Sequence, residues 1–210
     1  MTFRALAALT FGGGTVLLLS ALALIGEAPG VSKEQRHLRE MKQRRSEPGD
    51  VSRWTIADFQ ALPHPHALAA YAPTEQRGVS LEGWVQRTML AGDGDMHLEV
   101  APSPRRPAGP DTAYVSAEIT PGWRHRDTNW SYDALNAVFR PNDGAQTAWD
   151  SGPARVRVTG WLLYDFQYDR PPSPWTLEHA APRVTGWEIH PVTKIERWDA
   201  AHAAWIEVPR

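Results

Sequence analysis

Ser131-Tyr132-Asp133-Ala134-Leu135-Asn136-Ala137-Val138-Phe139 is the stretch that decides the fold. Ser131 suits a helix N-cap, and Leu135, Val138 and Phe139 recur at helical spacing, so the run reads as one short helix with a buried stripe. On both sides the period drops to that of strands. Upstream lie Val79 to Leu90, Met96 to Val100 and Ala113 to Ile119; downstream lie Ala154 to Tyr164 and Val184 to Trp198. Pro191 cannot donate to a ladder, which predicts a bend or break in the last strand. Three strands, a helix and two strands is the order of a small five-stranded Greek-key barrel, so the chain is expected to be mainly β with one short helix. Its long loops, 101–112, 120–130, 140–153 and 166–183, exceed those of a minimal barrel and are places where function is grafted.

Three near-repeats fall on these strands: Leu81-Glu82-Gly83-Trp84, Val158-Thr159-Gly160-Trp161 and Val184-Thr185-Gly186-Trp187. Glycine permits the tight bend of a small barrel, and the tryptophan after it covers the bared backbone. Packing is the plain reading of Trp84, Trp161 and Trp187; a stacking platform for a ring-shaped ligand is the functional one.

The chain of 210 residues has 22 basic and 24 acidic side chains, ten tryptophans and no cysteine. A disulfide framework, cysteine-ligated zinc, iron–sulfur clusters and thiol catalysis are therefore excluded. Ala5 to Gly26 carries no charge and is long enough to span a bilayer, which predicts an amino-terminal hydrophobic helix acting as signal peptide or transmembrane anchor over 1–30. From Lys33 to Arg45 six basic residues face two acidic ones, so 31–50 reads as a basic juxtamembrane helix, capped at Ser32, with a hinge at Ser46-Glu47-Pro48-Gly49-Asp50. The positive-inside rule would keep the main domain cytoplasmic; the layout of one amino-terminal segment before a small β domain favours an extracytoplasmic one. Residues 51–77 read as a tether, with His64 and His66 on its surface, 78–199 as the barrel, and 200–210 as a tail. The membrane partner is assigned to residues 5–26.

Residues 51–210 hold 15 basic and 19 acidic side chains, a net of −4. Tight nucleic-acid binding draws on basic excess and is not expected, although Arg155 and Arg157, with Arg87, offer a small anion patch.

Val158-Thr159-Gly160-Trp161-Leu162-Leu163-Tyr164-Asp165 followed by Trp187-Glu188-Ile189-His190-Pro191-Val192 resembles the end of a group of small, often exported bacterial proteins of oligonucleotide/oligosaccharide-binding (OB) type. Gly94-Asp95-Met96-His97-Leu98-Glu99 and Ala117-Glu118-Ile119 are similar to its upstream elements. The resemblance implies an OB-like barrel over about 78–198 and no established activity. Members often carry a histidine shortly after the strand aspartate; here Phe166-Gln167-Tyr168-Asp169 stands there, so that role is not carried over.

Alternation places Asp95, His97 and Glu99 on one face of their strand, Glu118 opposite Ala117 and Ile119, and Glu188 with His190 away from Trp187 and Ile189. Neighbouring strands could bring His97, Glu118, Glu188 and His190 together, with Asp165 at a strand end. Two imidazoles and two or three carboxylates suit Zn²⁺ or Mn²⁺, and a metal-bound water there could attack a phosphate or ester. The structural alternative is a hydrogen-bonded set in which His190 fixes the last strand through Asp165 or Glu118. The expected function is a binding or scaffolding module for a protein or small-molecule ligand, with a metal-dependent hydrolase as the rival.

Overall fold

The computed structural model describes residues 30–104, 114–125, 127–141, 153–169 and 183–210. Their elements are α1 (Lys33–Lys42), β1 (Val51–Trp54), α2 (Ile56–Gln60), α3 (Leu68–Tyr71), β2 (Gly78–Leu90), β3 (Met96–Ala101), β4 (Val115–Ile119), α4 (Tyr132–Phe139), β5 (Arg155–Tyr164), β6 (Trp187–Asp199) and β7 (Ala204–Glu207). The hydrophobic segment 5–26 lies outside the described residues. Among the described residues no helix is long and apolar enough to cross a membrane.

Five strands close on themselves. Strand β2 pairs antiparallel with β3, β3 with β4, β5 with β6, and β5 returns to β2; β4 and β6 meet in parallel at Ala117 and Ile189. Helix α4 stands between β4 and β5, capped by Ser131, whose side chain accepts from the Ala134 amide. This is the expected barrel, and its order and helix position are OB-like. The interior is filled from every strand, by Val79, Leu81, Leu98, Ala117, Val158, Leu162 and Ile189 among others, all fully buried.

Strand β6 runs on through Pro191 and is bent by bulges, not broken. Gly160 faces Val192 while Leu162 faces Ile189, so β6 carries one residue more than β5 there, and a second shift follows at Thr159. Inward residues of β6 are consequently Trp187, Ile189, Val192 and Ile195, spaced two, three and three. A Cβ on Gly160 would come within 2.2 Å of the Pro191 carbonyl oxygen, so only glycine lets the two strands approach.

Three segments read as appendages belong to the folded body. Residues 51–77 are not a tether: β1 adds to β2 in parallel, and Phe59 and Tyr71 enter the core at 0 and 2 % exposure. Their apolar stripe is long enough to be worth burying, which a tether would waste. Residues 200–210 are not a tail, because β7 pairs with β6 and Trp130 donates its indole N–H to the Val208 carbonyl at 3.0 Å. Helix α1, expected on lipid, packs on the barrel through buried Leu38. His37 meets Glu75, and the turn after the helix receives the Trp123 and Trp161 indole N–H groups on the Arg44 and Ser46 carbonyls, at 2.8 and 2.7 Å.

Candidate functional site

The polar cluster follows from register. Antiparallel pairing sets His97 opposite Glu118, and the parallel contact of Ala117 with Ile189 turns Ser116 and Glu118 of β4 to the same outer face as Glu188 and His190 of β6. Asp95, in the turn before β3, joins them from the side. Alternation predicts that much. It does not predict that this outer face is covered: Glu118, Glu188 and His190 are at most 1 % exposed. Two cations do the covering. Lys42, at the end of α1, reaches Asp165 Oδ2 at 3.1 Å, and Arg183, just before β6, binds Glu188.

His190 sits at the centre. Its Nδ1–H donates to Glu188 Oε1 at 3.0 Å, with Glu118 Oε2 at 3.1 Å. Its Nε2 lies 3.3 Å from Asp95 Oδ2 but off the line of a hydrogen bond, and is one of the buried atoms without such a partner. His97 Nε2 stands 3.2 Å from Glu118 Oε2 and remains partly exposed. Asp165 belongs to the set through Lys42 and not through His190.

Burial opposes charge on every member, and the pairings overcome it. Desolvation disfavours an imidazolium at His190, but the Glu118 carboxylate beside it raises its pKa well above the usual histidine value. Desolvation likewise opposes the Glu118 carboxylate, yet His190, His97 and Lys42 pull its pKa down to about 2. Lys42 is raised despite its burial, because Glu188, Glu118 and Asp165 surround it. The cluster is a sealed charge network that holds α1, the start of β6 and the barrel wall together.

Lys42, Arg183 and Asp95 are the members absent from the sequence-derived set. Asp95 shares a face with His97 by simple alternation and was findable. Lys42 and Arg183 carry no local signal, since their role depends on long-range docking.

The remaining predicted positions are placed as follows. Trp187 is fully buried, with its indole N–H on the Pro63 carbonyl at 2.8 Å and its ring 4.8 Å from that of Tyr164, so it is a core residue and not a stacking platform. Trp161 is covered by the Arg44 guanidinium at 4.7 Å; Trp84 is half-buried. The anion patch is neutralised within the protein: Arg155 and Arg157 both bind Glu82, at 2.8 and 2.7 Å, and Arg87 binds Glu99 at 2.9 Å. His64, read as a surface residue, lies 2.6 Å from Asp169.

A second feature is concave and open. Strands β1 and β3 use the same edge of β2, at Gly78–Leu81 and Trp84–Leu90, because β5 occupies the other edge. Between them lies a groove of about 440 Å³ lined by Arg53, Trp54, Ile56, Glu82 and Pro102.

No family model and no curated protein matches the chain. Among solved structures, it is similar to asparaginyl-tRNA synthetase from Pyrococcus horikoshii at 18 % identity, over 58 % of this chain and 19 % of that one, with a TM-score of 0.31. The match therefore spans about a fifth of the synthetase. OBody AM3L09, solved bound to hen egg-white lysozyme, is similar at 18 % identity over 66 % of this chain and 98 % of that one, with a TM-score of 0.33. A small single-stranded DNA-binding protein from Streptomyces coelicolor is similar at 15 % identity, over 60 % and 95 % of the two chains, with a TM-score of 0.29.

Proposed function

We propose that the chain is an OB-like binding module whose ligand lies in the groove between β1 and β3. The observation that carries this reading is the chemistry of that groove. Trp54, Ile56 and Pro102 give it apolar walls, and Arg53 and Glu82 are its charged groups. Glu82 is already matched by Arg155 and Arg157, whereas Arg53 is 70 % exposed and only loosely placed at 3.8 Å from Glu82. The uncommitted charge is thus positive, and the ligand class it fits is an apolar group bearing a carboxylate. The volume lies within the range of small-molecule sites.

Hydrolysis at the polar cluster has less support. General acid–base chemistry requires contact with the reacting group, and Glu118, Glu188 and His190 are closed off by Lys42 and Arg183.

N-acetyl-leucine and its uncharged twin N-acetyl-leucinamide test the reading by amide chemical-shift titration of the full chain. At roughly 0.3 kcal/mol per non-hydrogen atom, the acid should bind at about millimolar strength and shift Trp54, Ile56 and Glu82. The amide should bind several-fold more weakly, and Arg53→Gln should erase the difference. Shifts confined to other surfaces, or equal affinity for acid and amide in the unmodified protein, would refute it.

A further inference from the structure

The sealed cluster contains an electrostatic conflict at one atom. Glu188 takes the Nδ1 proton of His190, and Arg183 fixes Glu188 in turn. The other ring nitrogen, Nε2, then faces Asp95 Oδ2 at 3.3 Å with no hydrogen-bond geometry between them. Glu118 Oε2 is buried in the same cluster and equally lacks a hydrogen-bond partner. Two carboxylate oxygens and one imidazole nitrogen share a dry site only with a cation among them: a proton on Nε2, as in the sealed charge network, or a metal ion that displaces it. The fixed cations are committed elsewhere, Lys42 to Asp165 and Arg183 to Glu188. Asp95 and Glu118 remain, two carboxylates beside the one ring, with Glu118 also facing His97 and Lys42.

We propose that Asp95, Glu118 and His190 Nε2 bind a structural divalent transition-metal ion, zinc or manganese, on the outer face of β3, β4 and β6. One ligand atom from each residue lies within 4.8 Å of the others, and all three residues are buried. The 3.3 Å from Nε2 to Asp95 is close to the edge of a tetrahedron with arms of about 2.1 Å. The imidazole donor favours zinc or manganese over calcium or magnesium, and two carboxylates neutralise a divalent charge. Glu188 on Nδ1, itself held by Arg183, is the carboxylate–histidine support that orients a ligating ring. Glu118 Oε2 faces Nδ1 at 3.1 Å, and ligation would require it to turn toward Nε2. His97, whose side chain is 21 % exposed beside Glu118, joins the cluster to solvent. The proposal stands apart from the groove and does not depend on its ligand.

The test uses the full chain, stripped with chelator and titrated calorimetrically with Zn²⁺, Mn²⁺ and, as a control, Mg²⁺. One Zn²⁺ or Mn²⁺ per chain should bind at about 10 µM or tighter, with Mg²⁺ much weaker, and should raise the melting temperature. D95N and E118Q, which keep side-chain shape, should each weaken binding at least tenfold, and E188Q, a positioning change, should weaken it without altering stoichiometry. If a variant fails to fold, ¹⁵N spectra of the His190 ring in the unmodified protein decide the matter. Zinc should shift Nε2 while the Nδ1 proton is retained. Absence of saturable binding, binding unchanged in both D95N and E118Q, or an imidazolium protonated on both nitrogens at saturating zinc would overturn the proposal.

Discussion

Tyr71 is only 2 % exposed, yet its hydroxyl has no hydrogen-bond partner among the described residues. A buried donor left unmatched works against the fold, so Tyr71→Phe should leave the denaturation midpoint unchanged or raise stability by about 1 kcal/mol. Burial, with Glu75 and Glu34 nearby, also pushes the phenol pKa up to about 12. The unfolded phenol ionises near 10 and the folded one higher, so stability is undiminished below pH 10 and falls as pH rises towards 12. Alkaline titration by ultraviolet absorbance should find this tyrosine among the last to ionise, and its signal should vanish in Tyr71→Phe. At this scale the sequence is informative about faces and silent about cover. Period-two alternation sets Glu118, Glu188 and His190 on one side of their strands, as the structure does. The same alternation suggests a wet face, because nothing near those residues announces that Lys42 and Arg183 close over them.

Strands β5 and β6 show where a pattern is legible and where it fails. The apolar runs Ala154 to Tyr164 and Val184 to Trp198 mark both elements within a few residues. The inward set on β6 is not readable by twos, because bulges insert extra residues and shift the period to three beyond Ile189. Gly160 is the hinge of this arrangement. Gly160→Ala would drive a methyl onto the Pro191 carbonyl and the Val192 Cα, backbone atoms that cannot rotate aside. A loss of about 2–3 kcal/mol is expected in urea denaturation, from overpacking at a backbone contact. An unchanged midpoint would mean that the strands are not so closely apposed. Residues 51–77 teach a related lesson: Trp54, Ile56 and Phe59 mark an amphipathic turn in the sequence, but its destination, the β2 edge and the core, is a long-range fact.

For the molecule as a whole, α1 is the element whose reading changes most. Its basic residues suggest an anionic surface outside the protein, yet Lys42 finds Asp165 and Arg44 donates to the Glu75 carbonyl at 2.9 Å. Lys42→Met should cost about 3 kcal/mol, since it strands a fully buried carboxylate, and Lys42→Met with Asp165→Asn should recover much of that loss. Equal destabilisation in the single and double variants, measured by chemical denaturation, would deny that the pair couples helix to barrel. The other end of the chain lies against the same region: Arg210 pairs with Glu47 and covers Trp123 at 4.8 Å. This closeness has a mechanical consequence. A pull applied between Gly30 and Arg210 meets the α1 strap at one end and β7 at the other, both of which lie outside the five closed strands. Unwinding the ten residues of α1, from about 1.5 to about 3.4 Å per residue, releases roughly 20 Å of chain.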